Sequence, residues 1–392
     1  MIYQRRIYPE LLRHAKSKLN TVLTGMRRTG KTTLVKQLMN DLLNKNSIFL
    51  DLERPDNREL FLQKNYDSIR ESLISRGLDP KEPMIVMLDE IQNVKEIPSV
   101  IKYLSDHYQI KFVATGSSSY FLKNAFSESL AGRKKIIELF PLDFGEYLQF
   151  KQVNFHPQDW INSQVDEVEA ARIGGYYEDF IRFGGFPQVA LANSIQDKND
   201  ILADIMASYI NIDVRTMADF GDARNLYNLI KLLASRVGSR LDVSKLALLS
   251  GLSRPTITNY LAFLEKTYLI STVSVHTNSV DREIVKARKV YFGDTGLANH
   301  MADIGGGAQF ENTVFNQLNR IGSVEYYALK NGQEIDYILD KKYALEAKET
   351  PTINDLAQLS KLASLAGISQ CRLIGRNYGR KYKDYIWGAS IF

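Results

Sequence analysis

"TGMRRTGKTTLV", residues 24–35, is the stretch on which the fold turns. Upstream, "NTVLTG" (residues 20–25) is a short β-branched and apolar run ending in glycine. Downstream, "KTTLVKQLMNDLLNK" (residues 31–45) repeats Leu34, Leu38 and Leu42 at helical spacing. Between this strand and helix, Gly25, Gly30, Lys31 and Thr32 fit G-x-x-x-x-G-K-[ST]. The chemistry of a polyphosphate asks for these residue types. Glycines let the backbone turn tightly and aim N–H groups at phosphate oxygens. The helix N-terminus adds its dipole. Lys31 then reaches the β/γ-phosphates, and Thr32 offers its hydroxyl to Mg²⁺. The expected nucleotide-binding residues are Gly25, Met26, Arg27, Arg28, Thr29, Gly30, Lys31, Thr32 and Thr33, with Mg²⁺ beside the nucleotide.

A companion site follows in "EPMIVMLDEIQNV". Residues 84–88 are apolar on both faces, as suits a central parallel strand. Asp89 and Glu90 stand at its C-terminal end, where open α/β sheets bind ligands. Asp89 is expected to hold Mg²⁺ through water, and Glu90 to orient and deprotonate the attacking water. "NSIFLDLE" (residues 46–53) and "IKFVATGSSS" (residues 110–119) read as further strands. At the end of the latter, either Thr115 or Ser117 senses the γ-phosphate or the serines merely form a turn.

The 392 residues suffice for two or three domains, and 44% hydrophobic with 24% charged content is ordinary for a folded soluble chain. A single cysteine, Cys371, excludes an intrachain disulfide framework and fits a reducing compartment. The N-terminus lacks the apolar run of a signal peptide, and no stretch has the uncharged length to span a bilayer. The expectation is a cytoplasmic protein without membrane contact. The net charge of +5 permits nucleic-acid binding, but an ordinary solvated surface carries that excess equally well. There is no internal repeat and no low-complexity tract.

Taken in order, "TGMRRTGKTTL", "LDEIQ", "ATGSSS", "LAGRKKIIELFPLDFGEYL" and "GGFP" resemble a family of predicted prokaryotic AAA-type ATPases whose members carry a C-terminal domain of unknown function. The resemblance extends over nearly the whole chain. It implies ATP hydrolysis, with Glu90, Lys31 and Arg133 as the catalytic set. Arg133, in "LAGRKK", would stabilise transition-state charge in cis or from a neighbouring subunit; a surface basic cluster with Lys134 and Lys135 explains it as well. Met26 stands where the family has proline, a change in loop stiffness more than in chemistry. The aromatic-rich helical pattern from residue 141 to about 196 corresponds to a lid over the nucleotide.

"DVSKLALLSGLSRPTITNYLAFLEKTYLI" (residues 242–270) reads as a helix-turn-helix. The first helix turns Leu246 and Leu249 inward, and small Ala247 allows a close crossing. Gly251 supplies the turn. Ser253 caps a second helix, Pro255 suits its first turn, and Ile257, Leu261 and Leu264 form its buried face. The following "LISTVSVHTNSVDREIVKARKVYF" reads as a hairpin wing. Arg254, Thr256, Thr258 and Asn259 are the candidate double-stranded DNA contacts, supported by Lys286, Arg288 and Lys289 of the wing. Winged helices also dock proteins, so an unidentified protein partner stays open. Asp294–Thr295–Gly296 reads as a turn.

In residues 307–350, a helix carries Glu311, a strand after the Lys330–Asn331–Gly332 turn carries Asp336, and "YALEAKE" carries Glu346 and Lys348. Residues i and i+2 of a strand share a face, so Glu346 and Lys348 point together, and a hairpin brings Asp336 beside them. This order resembles the PD-(D/E)xK restriction-endonuclease-like core, with Ile335 in place of the usual proline. The resemblance implies acids that hold Mg²⁺ and a lysine that supports the attacking water. Cleavage, DNA binding without cleavage, and protein contacts all remain open. The expected fold is α/β: a P-loop NTPase domain with a parallel sheet over residues 1–140 and a helical lid or linker over 141–221. A winged helix-turn-helix over 222–298 and a small restriction-endonuclease-like α/β domain over 299–392 follow.

Overall fold

Short runs rich in β-branched and apolar residues build the first sheet. The computed structural model describes residues 3–42, 46–116, 130, 132–155, 157, 159–161, 165–214, 223–277, 279, 281, 286–379 and 384–392. The chain divides into two units, Met1–Phe140 with Lys266–Tyr268, and Pro141–Glu265 with Leu269–Phe392. Ser117 lies outside the described residues, so its position bears on neither reading of that turn.

In the first unit, α1 (Tyr8–Ala15) leads into β1 (Asn20–Thr24) and α2 (Lys31–Asp41). Next come β2 (Ser47–Asp51), α3 (Pro55–Phe61), α4 (Tyr66–Ser75), β3 (Ile85–Asp89), α5 (Ile97–Tyr108), β4 (Lys111–Thr115) and β5 (Lys134–Glu138). The five strands pair in parallel in the order β2-β3-β4-β1-β5. Alternation along the strands feeds two cores. Val22, Val86, Leu88 and Phe112 pack with Ile69, Leu73, Val100 and Leu104 on one side. Leu23, Met87 and Val113 pack with Leu11, Leu34, Val35 and Leu38 on the other. Both faces being covered by helices explains why residues 84–88 are apolar throughout.

The second unit begins with α6 (Phe144–Phe150), α7 (Glu167–Phe183), α8 (Pro187–Leu191) and α9 (Ile195–Ser208). The stretch read as a lid is therefore part of this unit. α10 (Ala223–Ala234), α11 (Val243–Ser250), α12 (Arg254–Lys266), β6 (Ile270–Val273) and β7 (Lys289–Phe292) come next. β6 and β7 form an antiparallel ribbon, and the segment before α11 lines the other side of β7 through Val290 N to Ser239 O at 3.1 Å and Leu241 N to Arg288 O at 2.8 Å.

α13 (Thr295–Met301) and α14 (Gly306–Leu318) lead to β8 (Val324–Ala328), β9 (Glu334–Leu339) and β10 (Tyr343–Lys348). α15 (Ile353–Ala366), β11 (Gln370–Gly375) and β12 (Tyr385–Trp387) follow. The second five-stranded sheet runs β12-β11-β10-β9-β8, antiparallel from β8 to β10 and parallel from β10 to β12. α7 joins this assembly through Tyr177, whose buried hydroxyl donates to Gln317 Oε1 at 3.0 Å.

Two local expectations are corrected here. Asp294 does not sit in a turn; it caps α13, accepting from Leu297 N at 3.1 Å and also from Gly185 N at 2.7 Å. A Cβ at Gly184 would approach Asp294 Oδ1 to 2.1 Å, which accounts for the first glycine of "GGFP". Leu249 does not point inward: it is 52% exposed and its neighbour Leu248 is 83% exposed, because Leu246 alone provides the buried contact of this two-turn helix. Among the described residues no helix is long and apolar enough to cross a membrane.

Candidate functional site

The loop between β1 and α2 has a backbone that only certain residues permit. Gly25 adopts φ +146°, and a Cβ there would come within 2.1 Å of the Leu139 carbonyl oxygen. Gly30 caps α2 at φ +99°. Lys31, the first residue of α2, is buried and curls back, its Nζ donating to Gly25 O at 2.9 Å and Met26 O at 2.7 Å. The Met26 carbonyl also accepts from the Thr29 hydroxyl at 2.9 Å, so this position shapes the loop through its backbone. Arg27 and Thr32 are half-buried, and Arg28 and Thr33 are exposed.

Asp89, at the end of β3, is buried. Its Oδ1 accepts from the Thr115 hydroxyl and from Glu90 N at 3.1 Å, and Thr32 of the loop helix bonds to the same carboxylate. Burial raises its pKa above the usual carboxylate value; Thr115 and Thr32 oppose that shift, while Glu90 and Asp51 add to it. Glu90 sits in the left-handed region at φ +52°, with its carboxylate held by the Gln92 amide. The loop residues Lys31 and Thr32 thus share one end of the sheet with Asp89 and Glu90.

Sequence reasoning missed three members of this end. Asp51 pairs in register with Asp89, and Glu53 follows it, with its N–H on Asp51 Oδ1 at 2.8 Å. Burial, Glu90 and Asp51 raise the Glu53 pKa, and Arg27 lowers it. The signal was available, since these acids close a strand of the same parallel sheet. Arg5 is the third: buried, it donates to Thr29 O and Phe140 O, both at 2.8 Å, bracing the loop. Nothing local marks it, because its targets lie far along the chain.

For Arg133 the sequence leaves a role in cis, a role from a neighbouring subunit and a surface basic cluster open. It precedes β5, whose first residue Lys134 pairs with Asn20 at the start of β1. The phosphate loop leaves the other end of that strand, about 13 Å further on at roughly 3.3 Å per residue. Arg133 Nε bonds Asp106 Oδ1 at 2.8 Å. The parallel register therefore keeps it away from its own chain's loop.

In the second unit, Gly251 at φ +69° turns the chain between α11 and α12, and Ser253 Oγ accepts from Thr256 N at 3.2 Å. Arg254, Thr258 and Asn259 are exposed and Thr256 is half-buried. Two of these four are occupied locally: the Thr256 hydroxyl pairs with that of Ser253 at 2.7 Å, and Thr258 donates to Arg254 O at 3.0 Å. Lys286 and Arg288 are exposed. Lys289 is not available to a phosphate. It is 1% exposed and its Nζ lies 2.9 Å from Glu334 Oε1, 3.4 Å from Asp336 Oδ1 and 3.5 Å from Glu311 Oε1. Arg288 precedes β7 and is exposed, whereas Lys289 opens a strand whose four residues are all buried.

The four C-terminal candidates converge. Asp336 N donates to Glu346 Oε2 at 3.2 Å, Ala347 N donates to Asp336 Oδ2 at 3.2 Å, and Lys348 Nζ donates to Glu346 Oε1 at 2.8 Å. Glu311 accepts from the Tyr291 hydroxyl at 2.8 Å. Burial first and the Asp336 charge second push the Glu311 carboxyl up to about 7, against Lys289 and Tyr291. The same two causes raise Glu346, against Lys348.

Two family models match parts of the chain: an AAA domain over residues 17–148, and a domain of unknown function (DUF8612) over residues 175–307. The AAA match supports ATP binding by the first unit and an ATPase of the P-loop AAA type. An uncharacterized protein of Methanocaldococcus jannaschii is 28% identical over 329 residues, 81% of this chain and 71% of its own. One of Haemophilus influenzae is 27% identical over 354 residues, covering 87% and 84%. Among solved structures, the Aeropyrum pernix ORC2 protein (ADPNP-ADP complexes) is 11% identical with a TM-score of 0.35 over 69% of this chain and 88% of that one. A likeness that low decides neither fold nor activity.

Proposed function

We propose that the chain is a Mg²⁺-dependent ATPase whose nucleotide state acts on a DNA-binding C-terminal half. The carrying observation is the meeting of Lys31, Thr32, Asp89 and Glu90 at one end of the first sheet. The backbone of residues 25–30 cradles the phosphates, and Lys31 exchanges its two loop carbonyls for phosphate oxygens. Thr32 and Asp89 form a hard-oxygen donor pair that suits Mg²⁺, which when bound offsets charge on the β- and γ-phosphate oxygens. Glu90, oriented by Gln92, takes the proton of the attacking water. Arg133 has a part only on a neighbouring chain's nucleotide.

Replacing Lys31 with alanine is expected to weaken Mg-ATP binding by about 1.5–3 kcal/mol, roughly ten- to a hundredfold, because a charged hydrogen-bond donor is lost. Calorimetric titration of both proteins measures it; equal affinities exclude the loop as the phosphate site.

The helix-turn-helix and its ribbon support a winged-helix reading, with Arg254, Asn259, Lys286 and Arg288 presented to duplex DNA. Arg254→Ala is expected to weaken duplex binding and to lower the salt slope by about 1, as loss of one phosphate contact does. Fluorescence anisotropy across a salt series reads both, and binding indifferent to salt and to this substitution sinks the DNA reading. The second reading, a nucleotide-switched module whose C-terminal half docks protein, is favoured by Leu248 and Leu249, exposed on α11.

A further inference from the structure

The acids of the C-terminal sheet have the order and placement of a nuclease centre, but their surroundings do not suit its metal. A divalent cation there needs carboxylate oxygens that converge on one point and are not already satisfied. Each oxygen of Asp336 and Glu346 already faces a donor of the chain. Asp336 Oδ1 faces Lys289 Nζ at 3.4 Å and Oδ2 faces Ala347 N at 3.2 Å. Glu346 Oε1 faces Lys348 Nζ at 2.8 Å and Oε2 faces Asp336 N at 3.2 Å. Lys348 belongs to the nuclease-like pattern; Lys289 does not. It enters from β7 of the neighbouring ribbon, is 1% exposed, and brings a fixed positive charge among Glu311, Glu334 and Asp336.

Further contacts close the cluster. Arg240, also from the ribbon side, bonds Glu334 Oε2 at 2.6 Å, and Tyr291 of β7 bonds Glu311. Burial opposes the Lys289 charge, but Asp336, Glu311 and Glu334 together hold it protonated, its pKa above the ordinary lysine value. A second, divalent charge beside this ammonium meets repulsion at short range in a poorly solvated place. Among the described residues, no three His, Cys, Asp or Glu side chains are placed to hold a metal ion.

We propose that this centre works without metal: the Lys289 ammonium stands in the cation's place and fastens the two-stranded ribbon to the C-terminal sheet. The nuclease-like scaffold then serves as a rigid mount for the helix-turn-helix and does not cut DNA. The comparison with a nuclease rests on the reading of this sheet given above; the ATPase reading is independent of it.

The test is Mn²⁺ uptake by the full chain without nucleotide, followed by electron paramagnetic resonance. The wild type and Asp336→Asn are expected to bind the same number of Mn²⁺ ions. Lys289→Met is expected to gain one further ion, lost again when Asp336→Asn is added. Wild-type Mn²⁺ uptake that disappears in Asp336→Asn overturns the proposal, and so does a folded Lys289→Met chain that gains no ion. Plasmid cleavage supported by Mg²⁺ or Mn²⁺ and abolished by Glu346→Ala overturns it as well. Should Lys289→Met not fold, the wild-type comparison with Asp336→Asn and the cleavage assay still decide. ATP titrations on the same preparations keep the two sites apart, because failure there counts against the loop around Lys31 alone.

Discussion

Substitution of Glu90 by glutamine is expected to slow ATP turnover by roughly 10²–10⁴-fold, the usual contribution of a positioned general base, while leaving Mg-ATP affinity essentially unchanged. Glutamine keeps the size of the side chain and an oxygen that accepts from Gln92, so the strained backbone at φ +52° and its local bond are retained. What is lost is the ability to take a proton. Single-turnover phosphate release beside calorimetry separates the two effects. Turnover at the wild-type rate would remove Glu90 from the chemistry and move attention to Glu53, whose carboxyl lies within electrostatic reach of Glu90.

Lys289→Met should cost about 3–5 kcal/mol of folding stability near pH 8, the range for stripping one partner from a buried charge pair. Methionine fills a similar volume, so the loss is electrostatic. Arg240 still compensates Glu334, but Glu311 and Asp336 lose their shared counter-ion. The deficit should shrink on acidification. A carboxyl whose folded pKa lies above its unfolded one stabilises fully below the unfolded value, near 4.5, and loses that contribution as pH rises through the folded value. Glu311 already stands at about 7 with Lys289 present, and removing the ammonium moves it further in the same direction. Urea unfolding at pH 5 and pH 8 therefore gives the smaller deficit at pH 5. An equal deficit at both values would assign the loss to packing.

The loop between β1 and α2 was legible because its determinants are contiguous: the glycines its backbone requires and the residues expected to meet phosphate all fall within residues 25–32. The Asp89–Glu90 pair was legible because an apolar run ends there. Asp51 and Glu53 answer to the same rule and were passed over only because no motif names them. The C-terminal constellation could be assembled from strand alternation and one turn, and the side chains do converge. Lys289 could not be read in this way. Its three partners lie on other elements, and the basic run "KARK" looks like a solvated wing. Asp294 shows a different limit: an aspartate that caps a helix and one that opens a turn use the same local bonds, so only the helix that follows separates them. Leu249 was misplaced because a helix of two turns has room for one buried leucine where spacing suggests two.

The bonds from Lys31 to the Gly25 and Met26 carbonyls carry a consequence for how ligands compete at this loop. An incoming anion swaps acceptors with the main chain, so its gain is only the difference between phosphate and carbonyl as partners. Small singly charged anions gain little from such an exchange, whereas a polyphosphate that also meets the amides gains on several fronts at once. If Lys31 takes the phosphate as proposed, selectivity for a nucleotide over simple salts would follow from that exchange of partners.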